Sequence, residues 1–197
     1  MGYSYEYEWD KEYCYPNSNV LINKLGIKNQ YELITAEREI TSLKIALAKV
    51  ETIKGNLDFE HLKNIHKFIF EDIYTWAGEI RRVNISKGNQ FCLSQNIELY
   101  ASAIFAKLKA DNYLIDYDGN IAHCLAYYLS EINVLHPFRE GNGRTQRVFI
   151  EYLADHAGYK IDFSNVTQDE MIIASAEAFA YEYDKINAMF DKITTKK

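Results

Sequence analysis

The sequence predicts an all-α domain of about seven or eight helices with one β-hairpin. Only two prolines, Pro16 and Pro137, interrupt its 197 residues, so long helices are permitted. Apolar residues recur at three- and four-residue spacing through most of the chain, as on the buried face of a helix. One segment, residues 79–95, is predicted to be non-helical, because Arg82-Val83-Asn84-Ile85-Ser86 alternates polar and apolar residues, which is typical of a half-buried strand. A chain of this length can bury one sizeable core, so residues 1–197 are predicted to form a single domain.

The predicted elements follow one another with short breaks. The tyrosine-rich residues 1–14 are expected to be an N-terminal arm that packs on the body, a frayed tail being the alternative. Helices are predicted over residues 31–50, 58–75, 97–113 and 119–135, from Gly143 to about Gly158, and after Thr167. Thr167 precedes Glu170 by three positions, which is a capping-box pattern, and apolar residues continue that last helix as far as Ile186.

The segment 79–95 and the histidines of the second helix can each be given an ordinary structural interpretation. The segment 79–95 reads as a hairpin around the turn Lys87-Gly88-Asn89, although an ordinary connecting loop is the alternative. His61 and His66 lie five apart on the second helix, which is poor metal-ligand geometry. We expect both to be surface or partly buried structural residues.

Composition and charge argue against several classes of protein. The net charge of −6 argues against a broad nucleic-acid surface, which would be basic, so no direct nucleic-acid partner is expected. Cys14, Cys92 and Cys124 have no metal-ligand spacing and are typical of reduced thiols in a cytosolic protein. No signal peptide and no apolar run of ~20 residues appears, so a cytoplasmic protein without membrane contact is expected.

Residues 136–147 carry most of the chemistry in the chain. They read His-Pro-Phe-Arg-Glu-Gly-Asn-Gly-Arg-Thr-Gln-Arg. Pro137 ends one predicted helix, and Gly141 and Gly143 let the backbone approach a ligand where the next helix begins. A helix start offers unpaired N–H groups to an anion, and Arg144 and Arg147 share a face of that helix. Each piece alone is commonly structural, but their coincidence in one helix–loop–helix frame predicts a phosphate-binding active site.

This segment resembles the signature of the Fic family, H-x-F-x-D/E-G-N-G-R-x-x-R, and matches it at every defined position. Less specific similarity to bacterial Fic toxins extends over residues 13–190, including Tyr74-Thr75-Trp76-Ala77-Gly78 before the hairpin. The resemblance implies a Fic-type helical domain in which residues 79–95 form a flap over the active site. It also implies Mg²⁺-dependent transfer of AMP from ATP to a Ser, Thr or Tyr hydroxyl of a target protein.

The resemblance also implies a role for each residue of the motif. His136 would be the base that deprotonates the target hydroxyl, and Glu140 would hold Mg²⁺. The remaining assignments concern the nucleotide: Gly141, Asn142 and Gly143 for the α- and β-phosphates, Arg144 and Arg147 for the outer phosphates, and Lys87 and Gly88 of the flap for nucleotide or target.

Variation within the family leaves other activities open. Family members that phosphorylate their targets carry Lys at the second motif glycine, so Gly143 favours AMP transfer. A UMP or phosphocholine donor stays open, because the adenine pocket has no sequence signature. A degenerate Fic fold acting as a nucleotide-regulated binding module is the main alternative. A helical DNA-binding repressor is weakened by the acidic charge.

Regulation by a separate chain is also implied. Many family members silence themselves with an S/T-x-x-x-E-G/N helix whose glutamate pairs with the second motif arginine. Four Ser/Thr–Glu pairs have the first spacing, but Trp9, Ile40, Ile80 and Leu99 follow their glutamates. We therefore expect a small antitoxin to supply the helix, with this chain as the toxin. Bacterial relatives that modify type II topoisomerase subunits favour such a subunit as the target.

Overall fold

The protein is described here by a computed structural model covering residues 12–197. Within those residues seven α-helices and two short antiparallel strand pairs form, which confirms the predicted all-α class. The helices are α1 (Gln30–Val50), α2 (Phe59–Phe70), α3 (Ile97–Ala110), α4 (Ile121–Leu135), α5 (Asn142–His156), α6 (Gln168–Phe179) and α7 (Asp184–Ile193). The strands are β1 (Ser86–Lys87), β2 (Asn89–Gln90), β3 (Tyr159–Ile161) and β4 (Thr194–Lys196).

Helix α4 occupies the centre of the domain. It packs against α3, α5, α6 and α7, and α5 packs in turn against α2. A helix enclosed by so many neighbours must be apolar on most of its circumference, and Leu125, Tyr128 and Ile132 of α4 have no exposed surface. The loop 136–141 that joins α4 to α5 therefore leaves one core helix and enters another, which fixes both of its ends.

The last predicted helix is two helices. Its capping box is present: Thr167 Oγ1 accepts from Glu170 N–H at 3.2 Å, and Glu170 Oε2 accepts from Thr167 N–H at 2.9 Å. The helix stops at Phe179, however, and Tyr181 adopts a left-handed conformation with φ +65°. The prediction of one continuous helix to Ile186 was wrong, because α6 and α7 both bury apolar residues at helical spacing and the pattern does not mark the turn between them.

The hairpin is present but much shorter than the alternating pattern suggested. Ser86 pairs with Gln90 and Lys87 with Asn89, around Gly88 at φ +77°. Beyond these two pairs, one backbone bond from Phe91 N–H to Ile85 O at 3.3 Å joins the arms, and residues 82–84 of the predicted strand 82–86 form no ladder. A second strand pair, β3 with β4, joins the end of the motif helix to residues 194–196 and was not predicted.

The N-terminal end of the described chain is part of the core. Tyr13 and Cys14 are buried, and the Tyr13 ring meets that of Trp76 edge-on at 5.7 Å. Residues 1–11 of the predicted arm 1–14 lie outside the described residues. Among residues 12–197 no helix is both long and apolar enough to cross a membrane.

Candidate active site

His136 is the residue at which α4 ends. It adopts a left-handed conformation with φ 43° and ψ 59°, its N–H still bonds Ile132 O at 3.0 Å, and Pro137 then prevents continuation. Its Nδ1 lies 3.1 Å from Asn133 O, so Nδ1 carries the proton and Nε2 is the basic nitrogen. The imidazole stacks on Phe91 of the flap at 3.7 Å. Burial, reinforced by the charges of Arg81 and Lys87, lowers the pKa of His136 to about 3, which keeps the ring neutral near pH 7.

Asn142 holds the motif loop closed. Its Oδ1 accepts from Phe138 N–H at 2.9 Å and its Nδ2 donates to Phe138 O at 2.7 Å. The side chain is 1% exposed. We predicted that Asn142 would help to cradle phosphate; the contacts observed are within the loop, so its visible contribution is to shape the backbone that would do so.

Gly141 is required where it stands for two reasons. It has φ +82°, and a Cβ placed on it would lie 2.1 Å from Phe70 Cζ. As N-cap of α5 it leaves the N–H groups of residues 142–144 outside the helical ladder, since the first helical bond runs from Thr145 N–H to Gly141 O. Those N–H groups and the positive end of the helix dipole make an anion site.

Gly141→Ala is expected to destabilise the fold by about 2–5 kcal/mol, from the left-handed backbone and the overlap with Phe70 together. Gly158→Ala is the matched control, because Gly158 also has positive φ, +84°, but has no atom within 4 Å of a new Cβ. It should cost only about 1–2 kcal/mol. Urea unfolding monitored by circular dichroism measures both, and equal losses would contradict the steric account.

Arg144 is already occupied by acidic partners. Its Nη2 donates to Glu37 Oε1 at 2.5 Å and lies 3.4 Å from Glu140 Oε1, while its Nη1 donates to Thr41 at 3.1 Å. Tyr74 donates to the other oxygen of Glu37. Burial and the charge of Glu37 raise the pKa of Glu140, and the Arg144 guanidinium opposes that shift. The role of Arg144 as an outer-phosphate ligand stays a prediction, and its observed contacts link α1 to the carboxylate of Glu140.

Arg147 differs from Arg144 in its surroundings. It lines the cleft beside Gly143, and within residues 12–197 no ion pair or hydrogen bond engages its guanidinium. Burial and the charge of Arg144 lower its pKa, and the charge of Glu151 opposes that shift. Its donors therefore face the cleft ready for an anionic ligand.

The cleft brings most of the predicted residues together. It has a volume of about 900 Å³ and runs between the motif, the flap and α6. Predicted site residues that line it are Lys87, His136, Glu140, Gly141, Gly143, Arg144 and Arg147. Gly88 lies at the exposed hairpin turn and does not line it. The opposite wall was not predicted from the sequence. It is formed by apolar side chains of α6 and the segment before it: Phe163, Val166, Met171, Ile172 and Phe179.

His61 and His66 are both buried, so the expectation that they would be surface or partly buried residues was wrong. His66 Nδ1 accepts from Gly78 N–H at 2.8 Å, which leaves Nε2–H to donate to Glu140 O at 3.0 Å. Its ring stacks on Phe138 at 3.8 Å. His66 thus supports the backbone of the carboxylate residue. A signal existed, since His66 follows Leu62 by four positions on the buried face of α2.

Comparison with known proteins agrees with the sequence motif. The model of the Fic/DOC family matches residues 56–154. The chain belongs to this family. It is 40% identical over 186 residues to protein adenylyltransferase VbhT of Bartonella schoenbuchensis, covering 93% of this chain and 39% of that protein. It is 38% identical to probable protein adenylyltransferase y4lH of Sinorhizobium fredii, over 85% of this chain and 87% of that protein.

The fold of this Fic domain also has solved counterparts. BepC of Bartonella tribocorum, crystallised with bound AMPPNP, superposes with a TM-score of 0.89 at 25% identity, over 97% of this chain and 100% of that chain. The predicted Fic-type helical fold is therefore confirmed. The chain spans little more than a third of the length of VbhT, but most of y4lH.

Proposed function

We propose that this Fic domain is a protein adenylyltransferase that moves AMP from ATP to a Ser, Thr or Tyr hydroxyl of a target protein. The observation that carries the proposal is one cleft onto which a neutral imidazole, a carboxylate, a helix start and the unengaged guanidinium of Arg147 all open. The names of VbhT and y4lH and the AMPPNP in BepC support it, because AMPPNP is an analogue of ATP.

His136 acts on the acceptor hydroxyl. In the transfer, the hydroxyl oxygen forms a bond to the α-phosphorus, the bond from that phosphorus to the bridging oxygen breaks, and pyrophosphate leaves. The hydroxyl proton passes to Nε2 of His136. Asn133 O holds the Nδ1 proton, which keeps the lone pair on Nε2 and stabilises the imidazolium that forms.

The start of α5 and Arg147 bind the phosphates. Backbone N–H groups of residues 142–144 suit the α- and β-phosphates, which approach closely because Gly141 and Gly143 carry no side chain. Arg147 suits the outer phosphates, where its fork of donors stabilises the charge that develops on pyrophosphate. The apolar wall of α6 is suited to the nucleoside.

The site fits Mg²⁺ with Glu140 as its protein ligand. Within residues 12–197 no group of three or more His, Cys, Asp or Glu side chains could cage a metal. Mg²⁺ commonly takes one or two carboxylates and completes its shell with phosphate oxygens and water, so one carboxylate on the cleft wall is sufficient. When bound, the ion would neutralise phosphate charge. Arg144, 3.4 Å from Glu140 Oε1, favours the ionised carboxylate that such an ion needs.

A separate inhibitory partner is part of the proposal. The carboxylate of α1 that reaches the motif, Glu37, binds Arg144, and Arg147 has no carboxylate partner within residues 12–197. A small antitoxin with an S/T-x-x-x-E-G helix would supply one, with this chain as the toxin of the pair. A type II topoisomerase subunit is proposed as the target on the family resemblance alone.

The test is incubation of the purified chain with Mg²⁺ and bacterial lysate, in parallel with ATP labelled at the α- or the γ-phosphate. Purified type II topoisomerase subunits replace the lysate in a second set. An adenylyltransferase labels protein from α-labelled ATP alone. Label from the γ-phosphate would indicate a kinase, stronger label from α-labelled UTP would indicate another donor, and AMPPNP binding without any label would indicate the binding module.

A further inference from the structure

Arg81 is a buried arginine whose three side-chain nitrogens each donate to a backbone carbonyl. It is 1% exposed and lies near the start of the flap segment 79–95. Nε donates to His136 O at 2.8 Å, Nη1 donates to Val83 O at 2.6 Å, and Nη2 donates to Cys92 O. Burial lowers the pKa of Arg81 only to about 10, so the guanidinium remains charged at neutral pH.

These three carbonyls belong to parts of the chain that are separate in sequence. Val83 and Cys92 lie on the two arms of the flap, on either side of the short β1–β2 ladder. His136 is the proposed base. The backbone of Arg81 adds a fourth bond, from its N–H to Pro137 O at 2.9 Å. One side chain therefore ties both arms of the flap to the residue at which α4 ends.

The flap needs such a tie, because its own ladder is only two residue pairs long. An isolated pair of short strands is marginally stable in water. Further contacts converge at the same place: Cys92 N–H donates to Val134 O at 2.9 Å, and the Phe91 ring stacks on His136. His136 also holds a left-handed backbone, which persists only where its surroundings fix it.

From this geometry we infer that Arg81 is a positioning residue that locks the two arms of the flap to the backbone of His136, so that the base and the flap keep one relative placement during transfer. The inference rests on the proposed function for its consequence, which is catalysis. A second consequence follows from the contacts alone and does not depend on the proposed function. Loss of Arg81 should loosen the flap and alter the environment of the His136 ring.

The direct test is Arg81→Lys, which keeps the charge but loses the fork that reaches three carbonyls. The transfer rate at saturating ATP should fall about 10²-fold, as for a misplaced catalytic group. AMPPNP affinity should stay within about threefold, because Arg81 does not line the cleft. Loss of a merely structural residue would instead lower the melting temperature, the transfer rate and the AMPPNP affinity together. Thermal unfolding is therefore measured alongside.

Arg82→Lys is the matched control. Arg82 is the next residue, but its side chain is 70% exposed and pairs with Glu12 at 3.3 Å. The transfer rate of the Arg82→Lys variant should change less than about twofold. An Arg81→Lys variant that is folded and as active as Arg82→Lys would overturn the inference, and so would parallel losses of AMPPNP affinity and rate.

Two measurements decide the matter without activity. In Arg81→Gln, the pKa of His136 measured by NMR should rise, because the nearby charge of Arg81 that lowers it is lost while Lys87 remains. His136→Gln assigns the signal. In the wild-type chain, hydrogen exchange at Cys92 and His136 should share one opening free energy, well above that of Gly88 at the turn. Independent opening of Cys92 and His136 would overturn the inference even if Arg81 variants fail to fold.

If the wild-type chain transfers no AMP, the proposed function fails. The NMR and exchange results still stand and test the role of Arg81 separately.

Discussion

Replacing His136 by alanine is expected to abolish AMP transfer while leaving AMPPNP binding nearly intact. The imidazole acts on the acceptor hydroxyl, whereas the phosphates are bound by the start of α5 and by Arg147. Loss of the general base alone is worth about 10²- to 10⁴-fold in rate. Label incorporated from α-labelled ATP measures transfer, and calorimetry with AMPPNP and Mg²⁺ measures binding.

The control for this substitution is His156→Ala. His156 is an exposed histidine in the last turn of the same helix that carries the arginines, outside the cleft. It should transfer AMP at the wild-type rate. Undiminished labelling by His136→Ala would remove the imidazole from the mechanism, and loss of AMPPNP binding together with transfer would assign it a structural role instead.

Arg147→Ala is expected to lower both the rate of transfer and the affinity for AMPPNP. Loss of one preorganised donor to a developing charge costs about 10²- to 10³-fold in rate. Arg147→Lys should recover part of the loss, because it restores the charge without the bidentate fork. Lys109→Ala, which removes an exposed cation of α3 away from the cleft, controls for overall charge and should leave both quantities unchanged.

Arg147 should also bind the glutamate of the proposed inhibitory partner. A peptide carrying S/T-x-x-x-E-G competes with the outer phosphates for one guanidinium, so it should inhibit the wild-type chain competitively with ATP. Its Glu→Gly version should not. The isolated chain should be active and should slow the growth of a bacterial host. An inert chain that a truncation or point substitution switches on would place the inhibitor within the chain and contradict a separate partner.

Local chemistry made much of this fold predictable. Helical spacing located α1 and α4 within a few residues, the Thr167–Glu170 pair marked the start of α6, and Pro137 with Gly141 marked the loop between α4 and α5. These features work because each depends on residues a few positions apart. The motif residues come together for the same reason, since one loop and one helix turn carry nearly all of them.

What could not be predicted depends on partners distant in the chain. His66 is polar in the sequence, but its two ring nitrogens are satisfied by Gly78 and Glu140, so its burial costs little. Pairing of β3 with β4 joins segments separated by a whole pair of helices. The contact of Glu37 with Arg144 spans 107 positions and has no local pattern.

The contact between Glu37 and Arg144 lies partly outside the segment by which the family is recognised. The family model begins at residue 56 and ends at 154. A fragment with those borders would keep every letter of the signature but lose Glu37 and Thr41, leaving the Arg144 guanidinium packed on Phe70 with Glu140 at 3.4 Å as its remaining ion-pair partner. It would also lose the wall that α6 contributes. The signature residues mark the proposed site, whereas the side chains that hold and line it extend from α1 to α6.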